Sequence, residues 1–187
     1  MHFERNTRMK ILETMPASPA EAAIQRRDAL LVRAREEHWP DSAAAGHLLG
    51  SGSDAGGKQI ASRERAALRL LGVWSAPDRT FYHPPLQFNN GGAVQAEFIE
   101  LLQALAKNPA LSHEQDANGW NRLSWLTRRR TELSDRGLAE QAAPDGVAAN
   151  QAELEDTARM PEAVFAFNPK AVIALAHEDA EWVRDRL

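Results

Sequence analysis

"GGKQIASRERAALRLLGVWSAPDRTFYHPPLQF", residues 56–88, joins a glycine pair, an arginine-rich run and two short aromatic stretches around a turn. Sorted at about 100° per residue, Lys58 to Leu71 reads as a helix. Its inner side collects Ile60, Ala61, Ala67, Leu68 and Leu71. The opposite side collects Lys58, Ser62, Arg65 and Arg69, with Gln59 and Arg63 on the flanks. Glu64 falls among the apolar residues, where it needs an edge or a partner. After Gly72 the β-prone pieces "GVW" and "TFYH" are separated by "SAPDR", a link whose Pro77 and Asp78 suit a turn, so a small hairpin is expected near residues 72–83.

Working back toward the N-terminus, "PDSAAAGHLLG" offers a capped start at Asp41 or Ser42 and a short helix that stops at Gly50. "SGSDAGG" reads as a flexible turn. A short helix, a Gly-rich turn, a basic-faced helix and a hairpin describe a winged helix-turn-helix, in which the second helix enters a major groove and the hairpin touches phosphates. Arginine and lysine neutralise phosphates, and arginine also presents a two-pronged donor to guanine. The candidate DNA-binding residues are therefore Lys58, Gln59, Ser62, Arg63, Arg65, Arg69 and Arg79. The competing reading is a solvated basic helix face, common in proteins that never meet DNA.

Residues 1–16 show no convincing period and read as a loose arm. Ser18 as cap, Pro19 at the first helical position and Glu21 three residues after the cap open a highly charged helix reaching about His38. Beyond "HPPLQFNNGG", an extended connector ending in a turn, residues 93–107 form an amphipathic helix with Phe98, Leu101, Leu102 and Leu105 on one face. "GWNRLSWLTRRRTEL" places Trp120, Trp125 and Leu126 in a core or in a partner's groove, because wet tryptophans are expensive. "QAAPDGVAANQAELED" is small, polar and acidic, either a loop or a weak helix. Asn168 as cap and Pro169 at the first turn start a closing helix whose stripe is Val172, Leu175, Ala176, Asp179 and Trp182. That stripe either closes the domain or forms an interface.

Composition narrows the function classes. The 187 residues suffice for one ordinary domain or two small ones. Zero cysteines exclude disulfides and thiolate metal sites and fit a reducing, cytoplasmic setting. No apolar run approaches the roughly 20 residues of a membrane span, and "MHFERNTRMK" lacks the hydrophobic core of a signal peptide. A net charge of -4 excludes a uniformly basic nucleic-acid binder, so such a role rests on local clustering.

No catalytic constellation emerges, and the chain reads as neither an enzyme nor a cofactor binder. His177 and Glu181 are four apart on the closing helix, a spacing that serves a surface ion pair more readily than a two-ligand metal site. His38, His47, His83 and His113 lack an adjacent nucleophile. "GSGSDAGGK" lacks the preceding strand and the GK[ST] ending of a phosphate loop.

The stretches "QIASRERAALRLLGVWSAPDRTFYHPPLQF", "GWNRLSWL" and "MPEAVFAFNPKAVIALAHEDAEW" together resemble antitoxin-type proteins with an Xre/MbcA/ParS toxin-binding domain. Ala61, Ser62, Arg63, Gly72, Val73, Pro85, Gln87 and Phe88 carry the first part of the likeness. Trp120, Trp125, Leu126, Ala171, Val172, Leu175 and Ala176 carry the second. The likeness spans about residues 41–187. Departures from the pattern are Glu64 at a usually apolar position, "SAPD" in the wing, and "TRRRTELSDRGLAEQ" without the usual double glycine.

The resemblance implies a DNA-binding half and a helical half that docks a partner, which in the best-known operons of this type is an NAD-consuming toxin. On this reading residues 1–16 are a flexible arm, 17–88 a DNA-binding region with its wing, and 93–187 a partner-binding domain. The fold class is mainly α. The partner-binding candidates are Trp120, Trp125, Leu126, Val172, Leu175 and Trp182. Expected partners are double-stranded DNA, a cognate toxin or other protein, and a second copy of the chain, with no membrane. The alternative is an adaptor of the same fold that does not bind DNA.

Overall fold

The computed structural model describes residues 18–134 and 158–186. The expected arm and the whole of the acidic segment lie outside them. The chain divides into Met1–His38 and Trp39–Leu187. The first unit contributes α1 (Pro19–Glu36). Its start is set as the residues dictate: the Ser18 hydroxyl accepts from the Glu21 N–H at 3.2 Å, and Pro19 needs no donor in the first turn. Arg33 and Glu37 pair four residues apart at 2.9 Å.

The second unit is mainly helical with one two-stranded antiparallel sheet. It opens with α2 (Ser42–Leu48), whose cap Asp41 accepts from the N–H groups of Ala43 and Ala44. Gly50, at φ 92, ends the following turn in the left-handed region that glycine tolerates. The next helix, α3 (Asp54–Ala66), is capped by Ser53. It begins and ends earlier than the sequence suggests. Gly56 and Gly57 belong to the helix, not to the turn, because their smallness is what α2 needs. A Cβ on Gly46 would lie 2.1 Å from the Cα of Gly57, so the two helix backbones touch.

At its other end α3 closes with the Arg69 N–H donating to the Glu64 carbonyl and with Leu68 at φ 55. That is a Schellman closure with leucine where glycine is usual, a conformation costing a β-carbon residue roughly 1 kcal/mol or more. What holds it lies just beyond. The Gln87 amide accepts from the Leu71 N–H at 2.8 Å and donates to the Leu71 carbonyl at 3.0 Å, and His83 Nδ1 lies 2.8 Å from the same carbonyl. Leu71 is thereby removed from the helix.

The hairpin is formed by β1 (Val73–Ser75) and β2 (Thr80–Tyr82), with Val73 opposite Tyr82 and Ser75 opposite Thr80. Its turn is fixed by the Ser75 hydroxyl donating to Asp78 at 2.6 Å. An isolated antiparallel bridge from Asp41 to Tyr82 attaches it to the start of α2. A 3-10 turn at Pro85–Gln87 then leads to α4 (Ala96–Leu105).

The remaining helices are α5 (Trp120–Thr127), α6 (Pro161–Phe165) and α7 (Pro169–Arg184). Phe98, Leu101, Leu102 and Leu105 of α4 pack with Leu126, Val164, Phe165, Val172 and Leu175 in one apolar cluster, which Leu71 also enters. Each fully buried side chain of this size stabilises by about 1.5–3 kcal/mol relative to exposure. A buried carboxylate starts α5: Asp116 accepts from the Asn121 and Arg122 N–H groups and from Arg122 Nε at 3.0 Å. Where α5 meets the hairpin, a Cβ on Gly119 would sit 2.0 Å from the Gly72 carbonyl. No helix among the described residues is long and apolar enough to cross a membrane.

Candidate nucleic-acid interface

The contact of α2 with α3 through Gly46 and Gly57 fixes which side of α3 is left outward. Gly57 and Ala61 are buried against the fold, while Lys58, Gln59, Ser62 and Arg63 are exposed. Successive pairs four residues apart, Lys58 with Ser62 and Gln59 with Arg63, make this one continuous polar face. Arg79, also exposed, stands in the hairpin turn at φ 52.

Two of the seven expected DNA contacts are placed differently. Arg65 turns inward: its guanidinium lies 3.8 Å from the centroid of the Phe81 ring, and its Nη1 is 3.4 Å from the Ser42 hydroxyl. Burial holds its pKa down, to about 10. Arg69 lies past the end of α3 and grips Glu64 with two hydrogen bonds, at 2.7 and 2.8 Å. Each partner favours the other's charged form, lowering the Glu64 pKa and raising that of Arg69. The apparent misfit of Glu64 in the apolar pattern is thus resolved by Arg69, whose charge is largely used within the chain.

His47 closes the turn between α2 and α3, with Nδ1 at 2.8 Å from the Ser51 carbonyl and Nε2 at 2.8 Å from an Asp54 carboxylate oxygen. Both partners are acceptors, so the ring satisfies them only when doubly protonated, and its pKa is raised, chiefly by the Asp54 hydrogen bond. His83 is the opposite case. Fully enclosed, it is held neutral, with a pKa lowered to about 4 by burial and, to a smaller degree, by Arg65.

The six expected partner-binding residues separate into five and one. Trp120, Trp125, Leu126, Val172 and Leu175 are buried. The Trp120 indole N–H donates to the Trp74 carbonyl at 3.1 Å, and that of Trp125 to Asp179 at 2.7 Å; Arg130 also donates to this carboxylate. These side chains hold the fold together instead of offering a surface. Trp182 is 57% exposed, with the Arg186 guanidinium 3.5 Å from its ring centroid. The stripe read from the sequence is correct through Asp179 and fails at Trp182, where the helix outruns the body it packs on.

Sequence reasoning missed the roles of Gln87 and His83. The only signal for either was a polar residue embedded among prolines, aromatics and a leucine. Comparison of the chain with known protein families, with curated proteins and with solved structures found no match.

Proposed function

We propose that the chain is a DNA-binding regulator of the antitoxin type, using α2, α3 and the hairpin as a winged helix-turn-helix and its C-terminal helices to hold a partner protein. The observation that carries this reading is the outward face of α3, Lys58, Gln59, Ser62 and Arg63, on a helix seated against α2 by a glycine contact and flanked by a hairpin that the Asp41–Tyr82 bridge ties to the same helix pair. Three cations, Lys58, Arg63 and Arg79, meet phosphates. Gln59 and Ser62 supply hydrogen bonds to base edges or the backbone. Trp182 and the equally exposed Phe167 are the large apolar side chains that α7 and its approach leave to a partner.

The competing reading, an adaptor without DNA binding, is favoured by one specific observation: Arg65 and Arg69 are engaged within the chain, so the basic face is smaller than the sequence suggests. A salt titration of binding to a duplex carrying the chain's own upstream region separates the two. With three phosphate contacts per chain the log-log slope is about -3, from about -0.9 per contact. Replacing Lys58, Arg63 and Arg79 together by alanine flattens it. Binding that ignores salt, or a triple variant equal to the parent, supports the adaptor.

A further inference from the structure

Arg65 is half-buried and has no carboxylate within ion-pair reach among the described residues, an unusual placement for a cation. Its surroundings come from three elements. The stem leaves α3; the guanidinium lies over the ring of Phe81 of β2, with its centre 3.8 Å from the ring centroid; and Nη1 reaches Ser42, the first residue of α2. Phe81 in turn packs against Trp74 of β1 in a tilted pair, centroids 5.0 Å apart at 58°. The result is a continuous run of contacts, guanidinium to phenyl to indole, from α3 across both strands. Gly72, where the chain enters the hairpin, leaves room for it: a Cβ there would lie 2.8 Å from Arg65 Cδ.

The hairpin itself has only three residue pairs, and two-stranded ribbons are marginal by themselves. Something outside it must set its angle to α3. The Asp41–Tyr82 bridge and the His83 N–H, donating to the Pro40 carbonyl at 2.9 Å, fix the far edge of β2 to the approach to α2. Neither touches α3.

We infer that Arg65 is a positioning residue, the planar wedge that sets the hairpin at a fixed angle to α3 so that the Arg79 turn and the Lys58–Arg63 face act on one ligand. This deepens the DNA-binding reading and rests on it for the ligand, but the wedge itself is testable without DNA. Arginine is required because a flat, weakly hydrated guanidinium stacks on a ring and also donates to a hydroxyl, which a lysine ammonium does not do in one pose.

Two measurements on the full chain test the inference. In native-state hydrogen exchange, Arg65→Met and Arg65→Lys each speed exchange of the hairpin amides and of His83 at least tenfold, while α4 and α7 amides keep the parent rate. Phe81→Leu, which removes the ring and leaves the guanidinium, gives the same pattern and serves if an Arg65 variant does not fold. Hairpin exchange at the parent rate in both Arg65→Lys and Phe81→Leu overturns the inference. Binding to the upstream duplex is the second measurement. Arg79→Ala weakens the parent about tenfold but the Arg65→Met chain less than about twofold, because an unaligned turn has nothing left to lose; equal losses in both backgrounds overturn the inference. A parent that binds no duplex while the exchange pattern holds removes the DNA-binding reading and leaves the wedge standing.

Discussion

The region of α2, α3 and the hairpin and the region of α4 to α7 belong to one unit but are held by different means. In the second, Phe98, Leu101, Leu102, Leu105, Leu126 and Leu175 are packed side by side in one apolar cluster. In the first, glycine backbones touch, and polar groups clip the chain: Gln87 and His83 on Leu71, Arg65 on Phe81, His47 on Asp54. Apolar burial is non-directional and forgiving of small shifts, whereas hydrogen bonds lose strength over tenths of an ångström and tens of degrees. The difference teaches how a small unit can be anchored in one part and geometrically exact in another. The exact part is the one that carries the outward polar face.

The comparison breaks most visibly in the leucine cluster. Phe98, fully buried and edge-on to Phe165 at 5.4 Å, is expected to cost about 3–5 kcal/mol when replaced by alanine. Urea denaturation monitored by circular dichroism reads the loss as a shift of midpoint. If Phe98→Ala shifts it no more than an exposed-site change, the cluster is not the anchor.

Gly46→Ala comes next, at about 3 kcal/mol, the upper end of overpacking costs, because the neighbour it strikes is backbone and cannot rotate away. Its signature is local. Amide resonances of α2 and α3 move while those of α4 and α7 stay, and a uniform change across the unit would show that the two regions are not built differently.

The smallest of the three effects is a pH dependence that belongs to the first region. His83 has a folded pKa of about 4 against an ordinary 6.5, so the fold favours its neutral form. Its contribution is complete above about pH 6.5 and shrinks on acidification, as the unfolded chain takes up a proton that the folded chain refuses. Between about pH 7 and about pH 5 the loss is about 2 kcal/mol. Urea midpoints at the two values check it, and a His83→Gln chain retaining the same drop would assign the acid sensitivity elsewhere.

Caps and periodicity were the legible part of the sequence. Ser18, Asp41 and Asn168 each accept from the backbone two or three residues ahead, as their side chains allow, and the hairpin falls where β-prone residues flank a turn. The limits of α3 were not legible, for two physical reasons. Glycine pairs read as flexibility, but here Gly57 serves by being small against Gly46. The stop at Leu68 is imposed by groups up to 19 residues downstream, with Gln87 and His83 holding Leu71. Counting Leu68 and Leu71 as helical shifts the inferred inner face toward Ile60, and this moves Arg65 to the outside on paper. In the fold Arg65 continues the buried line of Gly57 and Ala61, and Phe81 covers it.

Leu71 occupies both regions at once. Its side chain sits in the apolar cluster with Phe98 and Leu101, while its peptide is gripped by the Gln87 amide and His83. A joint of this kind works as a rivet and not as a tether. Any displacement of α4 that carries the leucyl group must also carry the peptide between the last turn of α3 and the first strand, because the amide clamp leaves that peptide no freedom to swing. The outward face of α3 therefore inherits its bearing from the helices behind it.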